Sequence, residues 1–186
     1  NNKSKISRLI MKIGLCGTMS VGKTTLVNAL KELPEFTNYN FATERSKYLR
    51  DLGIPLNTDS TLKGQIMFLA ERTAELLNEN IITDRTLIDV IAFTKVAKSI
   101  DYYHAEAFCD LAAKLINEYD HIFYVSPEGV DMEDNGVRET DLEYREIIDS
   151  IIQLTLDRYK WKIKNFHVLK GTTEERIQQM KEALSL

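Results

Sequence analysis

Gly17, Gly22, Lys23 and Thr24 stand at the spacing G-x-x-x-x-G-K-[ST], within Gly17-Thr18-Met19-Ser20-Val21-Gly22-Lys23-Thr24. Residues of these types at this spacing bind a polyphosphate. The glycines permit backbone angles that a Cβ would penalise, so successive N–H groups can converge on an anion as a nest. The N-terminus of a following helix adds a partial positive charge. Lys23 reaches the β- and γ-phosphates, and the Thr24 hydroxyl is a ligand for Mg²⁺. The alternative is an accidental glycine-rich turn, and the flanks argue against it. Residues 10–16 form a short apolar run that reads as a buried strand, and residues 25–32 read as a helix with Leu26, Val27 and Leu30 on one face. The stretch from Gly17 through Thr24 and Thr25 is therefore expected to hold ATP with Mg²⁺.

Such a loop works only at the end of a strand, so the rest of the chain must supply a sheet. Apolar segments at residues 9–16, 39–42, 80–83, 121–125 and 166–169 read as strands. Helices are expected near 44–52, 60–79, 87–98, 103–118 and 142–161, and a last one opens with Thr172 or Thr173 as its N-cap. In the 60–79 helix, Leu62, Ile66, Leu69, Thr73 and Leu76 are expected on the inner face. Strands alternating with helices predict an α/β fold, a parallel sheet covered on both faces. Ligands of such sheets sit at the carboxyl ends of the strands, which directs attention to the residues after each strand.

After the second strand comes Glu44, followed by Arg45. A carboxylate there can orient or deprotonate a substrate hydroxyl; otherwise it is a helix-start acid stabilised by the dipole. After the third strand comes Thr83-Asp84-Arg85-Thr86-Leu87-Ile88-Asp89. Asp84 occupies the Walker B position, where an acid holds Mg²⁺ directly or through water; the competing role is a helix cap. Arg85 can clamp a substrate phosphate or pair with Glu44, and Asp89, one turn on, reads as structural. The polar stretch around 126–145 reads as a lid. Arg138, beside a glycine, or Arg145 can stabilise charge on a transferred phosphoryl group, and Arg138 is the better placed. The loop Lys170-Gly171-Thr172-Thr173-Glu174-Glu175-Arg176 could pass near the adenine; a plain connection between strand and helix is the stronger reading. Gln65, Met67, Phe68 and Arg72 offer a wall for an acceptor pocket, with Asn57 nearby; Met and aromatic residues also serve as ordinary core.

The composition fits this reading. A 186-residue chain can bury one sizeable core, and a single domain over residues 11–186 is expected after a flexible lead-in at 1–10. The net charge of −4 argues against a nucleic-acid backbone as main partner. The two cysteines, Cys16 and Cys109, form no C-x-x-C pair and read as buried, reduced thiols of a cytoplasmic protein. No apolar run approaches membrane-spanning length.

The combined pattern resembles the P-loop nucleoside and nucleotide kinases. Asp84-Arg85 is similar to the Asp-Arg motif of thymidylate kinases and the Glu-Arg-Ser motif of deoxynucleoside kinases. Ala42-Thr43-Glu44-Arg45-Ser46, Leu52-Gly53-Ile54-Pro55-Leu56-Asn57, Thr83–Asp89 and Asp134-Asn135-Gly136-Val137-Arg138 look closer still to the AAA-like P-loop family that includes the ribosylnicotinamide kinase domain of NadR. The resemblance implies a three-layer P-loop NTPase fold with strand order 2-3-1-4-5 and Mg-ATP at the strands' carboxyl ends. It also implies phosphoryl transfer to a small nucleoside- or nucleotide-like acceptor. The chain departs from thymidylate kinases in having fewer lid arginines, and from NadR in showing no second domain, so adenylyltransferase activity does not carry over. The expected catalytic set is Lys23, Glu44, Asp84, Arg85 and Arg138, with Thr24 and Asp84 on the metal. The expected partners are ATP and a small-molecule acceptor, with monomer and homodimer both open. The alternative is a P-loop ATPase or switch acting on a protein or nucleic-acid partner.

Overall fold

The computed structural model of the chain describes residues 10–43, 46–130 and 139–186. Five parallel strands, β1 (Lys12–Cys16), β2 (Asn40–Ala42), β3 (Ile81–Asp84), β4 (His121–Val125) and β5 (Phe166–Leu169), form one sheet in the order β2-β3-β1-β4-β5. The connections are helical: α1 (Lys23–Lys31), α2 (Ser46–Asp51), α3 (Leu62–Glu75), α4 (Leu87–Val96), α5 (Tyr102–Ala113), α6 (Glu139–Tyr159) and α7 (Thr173–Leu184).

The period-2 pattern of the strands sorts the core into two layers. On β4, Ile122 and Tyr124 face a cluster with α3, α4, α5 and α6, whereas Phe123 and Val125 face one with α1 and α7. β1 starts at Lys12; Ile10 and Met11, expected within the strand, precede it, and Ile10 is exposed.

The inner face of α3 is rotated from expectation. Ile66 and Thr73 are exposed, while Gln65, Leu69, Arg72 and Leu76 are buried. Two polar side chains can lie inside because each finds a partner. Gln65 Oε1 accepts from the Thr94 hydroxyl at 3.3 Å, and Arg72 forms an ion pair with Glu75 at 2.6 Å. An apolar-periodicity count has no means of anticipating such pairing.

Gly14 marks where β1 runs against α4. A Cβ there would lie 2.5 Å from Thr86 Cγ2 and 2.9 Å from Tyr119 Cε1. Gly14→Ala is therefore expected to lower the unfolding free energy by about 1–3 kcal/mol through overpacking. Urea denaturation measures this directly, and an unchanged midpoint would show that the neighbours yield freely.

At the amino end of the sheet, His121 Nδ1 and His167 Nε2 lie 3.0 Å apart, so they share one proton. Burial and mutual repulsion push the His121 pKa below its usual value, with Asp120 opposing, and burial does the same for His167. Below pH 6.5 the unfolded chain takes up protons that the folded pair resists, so stability is lost as pH falls through that range. The urea midpoint is expected to drop between pH 7 and pH 5.5, and His167→Phe should flatten that slope. An equal slope in the variant would assign it to other groups.

Candidate active site

The loop after β1 and the start of α1 have the geometry that anion binding requires. Gly22 adopts φ 84°, Gly17 φ 155° and Ser20 φ 56°. Thr61, Thr86, Asp101 and Thr172 cap α3, α4, α5 and α7 with their side chains, but no side chain caps α1 and its first turn carries no acid. Its first N–H groups remain for a ligand. The loop borders a cleft of about 780 Å³ whose other walls include Asp84, Arg85, Gly171, Thr172 and Arg176.

Lys23 is buried, and its ammonium donates to the carbonyls of Gly17 at 2.7 Å and Thr18 at 2.5 Å. Desolvation, then the nearby Arg85 guanidinium, lowers its pKa to about 8, with Asp89 and Asp84 opposing. The Thr24 hydroxyl donates to Asp84 Oδ2 at 2.8 Å. Asp84 is 1% exposed, and its Oδ1 has no hydrogen-bond partner among the described residues. A buried carboxylate oxygen left without a donor is the environment a cation completes. A hydroxyl beside a carboxylate is an oxygen donor set suited to Mg²⁺. Asp84 does not cap the following helix; Thr86 does, with Asp89.

Arg85 follows at φ 109°, a conformation that costs a non-glycine residue energy and occurs preferentially at functional sites. Its N–H donates to Leu15 O at 3.0 Å, which holds the turn against β1. Its guanidinium lies 4.9 Å from the Phe93 ring. Arg85 and Met19 border both the phosphate cleft and a second pocket of about 230 Å³, lined also by Asn57, Gln65, Phe68, Arg72 and Phe93. The α3 residues expected as an acceptor wall, with Asn57, are thus brought together there. Met67 is not among the residues that line this pocket.

Three contacts tie the loop to separate helices, two of them through helix side chains and one through a loop hydroxyl. Asp89 of α4 accepts the Gly17 N–H, the Thr18 hydroxyl donates to the Arg145 carbonyl of α6, and Arg176 of α7 donates to Val21 O at 2.6 Å and Ser126 O at 3.1 Å. The expectation for Arg176 is only the end of a loop near the adenine, not a tether of the phosphate loop. The available signal was an arginine spaced with Met180 and Leu184 on the apolar face of a helix, where a cation needs a buried partner. Arg145 turns towards a different cavity, shared with Thr18, Pro127 and Asp149. Glu44, Arg45, Arg138 and the 134–138 stretch lie outside the described residues, as does the lead-in at 1–9.

A family model described as an AAA domain matches residues 12–176. The chain belongs to this AAA domain family. No curated protein matches its sequence. Solved structures share the fold of this AAA domain. Deoxyadenosine kinase from M. mycoides with bound dATP is 22% identical, with a TM-score of 0.66 over 95% of this chain and 100% of that one. NadR in complex with NR is 19% identical, with a TM-score of 0.67 over 96% of this chain and 53% of that one, so the AAA domain spans about half of NadR. Thymidylate kinase from Ehrlichia chaffeensis is 18% identical, with a TM-score of 0.63 over 96% and 100%. Among the described residues, no helix is long and apolar enough to cross a membrane.

Proposed function

We propose that this AAA domain transfers the terminal phosphoryl group of ATP to a small nucleoside- or nucleotide-like acceptor. The observation that carries the reading is the junction at Met19 and Arg85, where the phosphate cleft meets a second, partly apolar pocket. An ATPase that signals to a protein needs the first cleft but has no use for a small-molecule pocket opening onto it. Relatives in fold named as deoxyadenosine kinase and thymidylate kinase support the same chemistry.

In this scheme Lys23 and the amides of the loop hold the phosphates, and their fixed dipoles favour the charge of the transition state over that of the ground state. Thr24 and Asp84 hold Mg²⁺, which when bound neutralises charge on the phosphate oxygens. Arg85 binds at the acceptor side of the transferred group. Glu44, beyond the end of β2, orients or deprotonates the acceptor hydroxyl, and Arg138 stabilises charge on the transferred group. Phe68 and Phe93 supply apolar surface for a flat ring, while Gln65 and Asn57 supply hydrogen bonds at its edge.

The test is ATP consumption against a panel of deoxynucleosides, nucleosides, ribosylnicotinamide and nucleoside monophosphates. Ribosylnicotinamide is included because of the sequence resemblance to the NadR kinase domain. Stimulation by one compound, with a phosphorylated product in equal amount, is expected. Hydrolysis that no small molecule stimulates would replace this reading with that of an ATPase or switch.

A further inference from the structure

Asp89 lies one turn into α4 and is 1% exposed. Its two oxygens have separate partners. Oδ2 accepts from the Thr86 N–H at 2.7 Å and the Thr86 hydroxyl at 3.0 Å, which completes the capping box of α4. Oδ1 takes no part in the cap. It accepts the N–H of Gly17 at 3.1 Å, across 72 residues of chain. Capping alone explains one oxygen of this buried carboxylate and leaves the other unexplained.

The peptide that Oδ1 holds is the first of the phosphate loop. Its orientation matters because it sets Gly17, whose carbonyl, one peptide further on, accepts from the Lys23 ammonium at 2.7 Å. The position has no room for a side chain, since the Val125 carbonyl lies 2.8 Å from where a Cβ on Gly17 would sit. Asp89 supplies the side-chain hydrogen bond to this peptide. It also borders the second pocket, so the same carboxylate touches the acceptor wall and the loop.

We infer that Asp89 is a positioning residue that fixes the first peptide of the phosphate loop from the wall of the acceptor pocket, and through the Gly17 carbonyl fixes Lys23. The inference rests on the proposed reading of that loop as the nucleotide site. A hydrogen bond from a buried amide to a carboxylate is among the stronger kinds, and its loss frees a loop whose value lies in being preset.

The test is calorimetric binding of Mg·AMP-PNP, with thermal midpoints measured in parallel, for wild type, Asp89→Ala, Asp89→Asn and Thr86→Val. Asp89→Ala removes both links. Asp89→Asn has one acceptor oxygen for two sites. Thr86→Val removes the hydroxyl from the same cap and leaves the Gly17 bond in place. Asp89→Ala is expected to weaken binding by about 10-fold or more, as outer supporting contacts do elsewhere. Thr86→Val is expected to lower the thermal midpoint with affinity within about 2-fold of wild type. Asp89→Ala binding as wild type does, or Thr86→Val losing as much affinity as Asp89→Ala, would overturn the inference in favour of a helix cap alone. If Asp89→Ala does not fold, Asp89→Asn against Thr86→Val decides in the same way. A wild type that fails to bind Mg·AMP-PNP would defeat the nucleotide reading itself and the inference with it. Wild-type binding with unaltered Asp89 variants would defeat only the inference.

Discussion

Lys23→Ala is expected to reduce ATP-dependent phosphoryl transfer by about 10²–10³-fold or more, the scale seen when one preorganised group facing developing charge is removed. The fold should survive. Lys23 is a buried cation whose pKa burial and Arg85 bring down to about 8, so the native state bears a desolvation cost at this position. Removing the charge relieves that cost while leaving the Gly17 and Thr18 carbonyls without their donor. These effects oppose one another, and the thermal midpoint should change much less than the rate. Turnover and thermal melting on the same preparation test both halves. Full activity in Lys23→Ala would end the reading of the loop as a phosphate site, and a collapsed melting midpoint would assign Lys23 a structural role.

Asp84→Asn is the second large effect. The substitution keeps the shape and one acceptor oxygen, so the Thr24 hydroxyl retains its partner at Oδ2. It removes the negative charge from a side chain that is 1% exposed and whose other oxygen has no donor among the described residues. Loss of an anionic ligand should raise the Mg²⁺ concentration needed for half-maximal turnover by at least about 10–100-fold, the scale known for even the outer partners of metal sites. The apoprotein should melt at nearly the wild-type temperature, since no protein partner loses a bond. A Mg²⁺ titration identical to wild type would remove Asp84 from the metal site, and Thr24 could not form it alone.

The two variants differ in what they isolate. Lys23 contacts its own loop, so its effect reports on nucleotide phosphates at any metal concentration. Asp84 comes from a different strand, and its effect should be partly overcome by added Mg²⁺. Rescue of Asp84→Asn by high Mg²⁺, without rescue of Lys23→Ala, is the pattern the geometry requires.

Much of the site was legible in the chain. The spacing of Gly17, Gly22, Lys23 and Thr24 is a local property, because a nest and a helix start need only contiguous residues. The alternation of strands and helices was equally legible, because periodicity and turn residues act within a few positions of themselves. Asp84 was legible because parallel strands present their carboxyl ends on one edge. The position of Arg85 marks it as a candidate, but its φ of 109° and its place between two pockets are not in the pattern.

What the tertiary structure decided is the set of contacts between distant segments. α3 turns Gln65 and Arg72 inward because Thr94 of α4 and the carbonyl of Asp84 at the end of β3 meet them there, while Glu75, one turn along α3 itself, pairs with Arg72. Arg176 reaches Val21 across 155 residues, and Asp89 reaches Gly17 across 72. Such pairs leave no periodic trace, since each is a single polar contact whose value depends on burial that only packing creates. The sequence by itself determined the phosphate loop, the strand–helix alternation and the acid at the carboxyl end of β3. Only the folded chain decided which helix faces line the second pocket and which side chains hold the loop in place, because hydrophobic periodicity selects a buried face but cannot state which polar groups will find partners there.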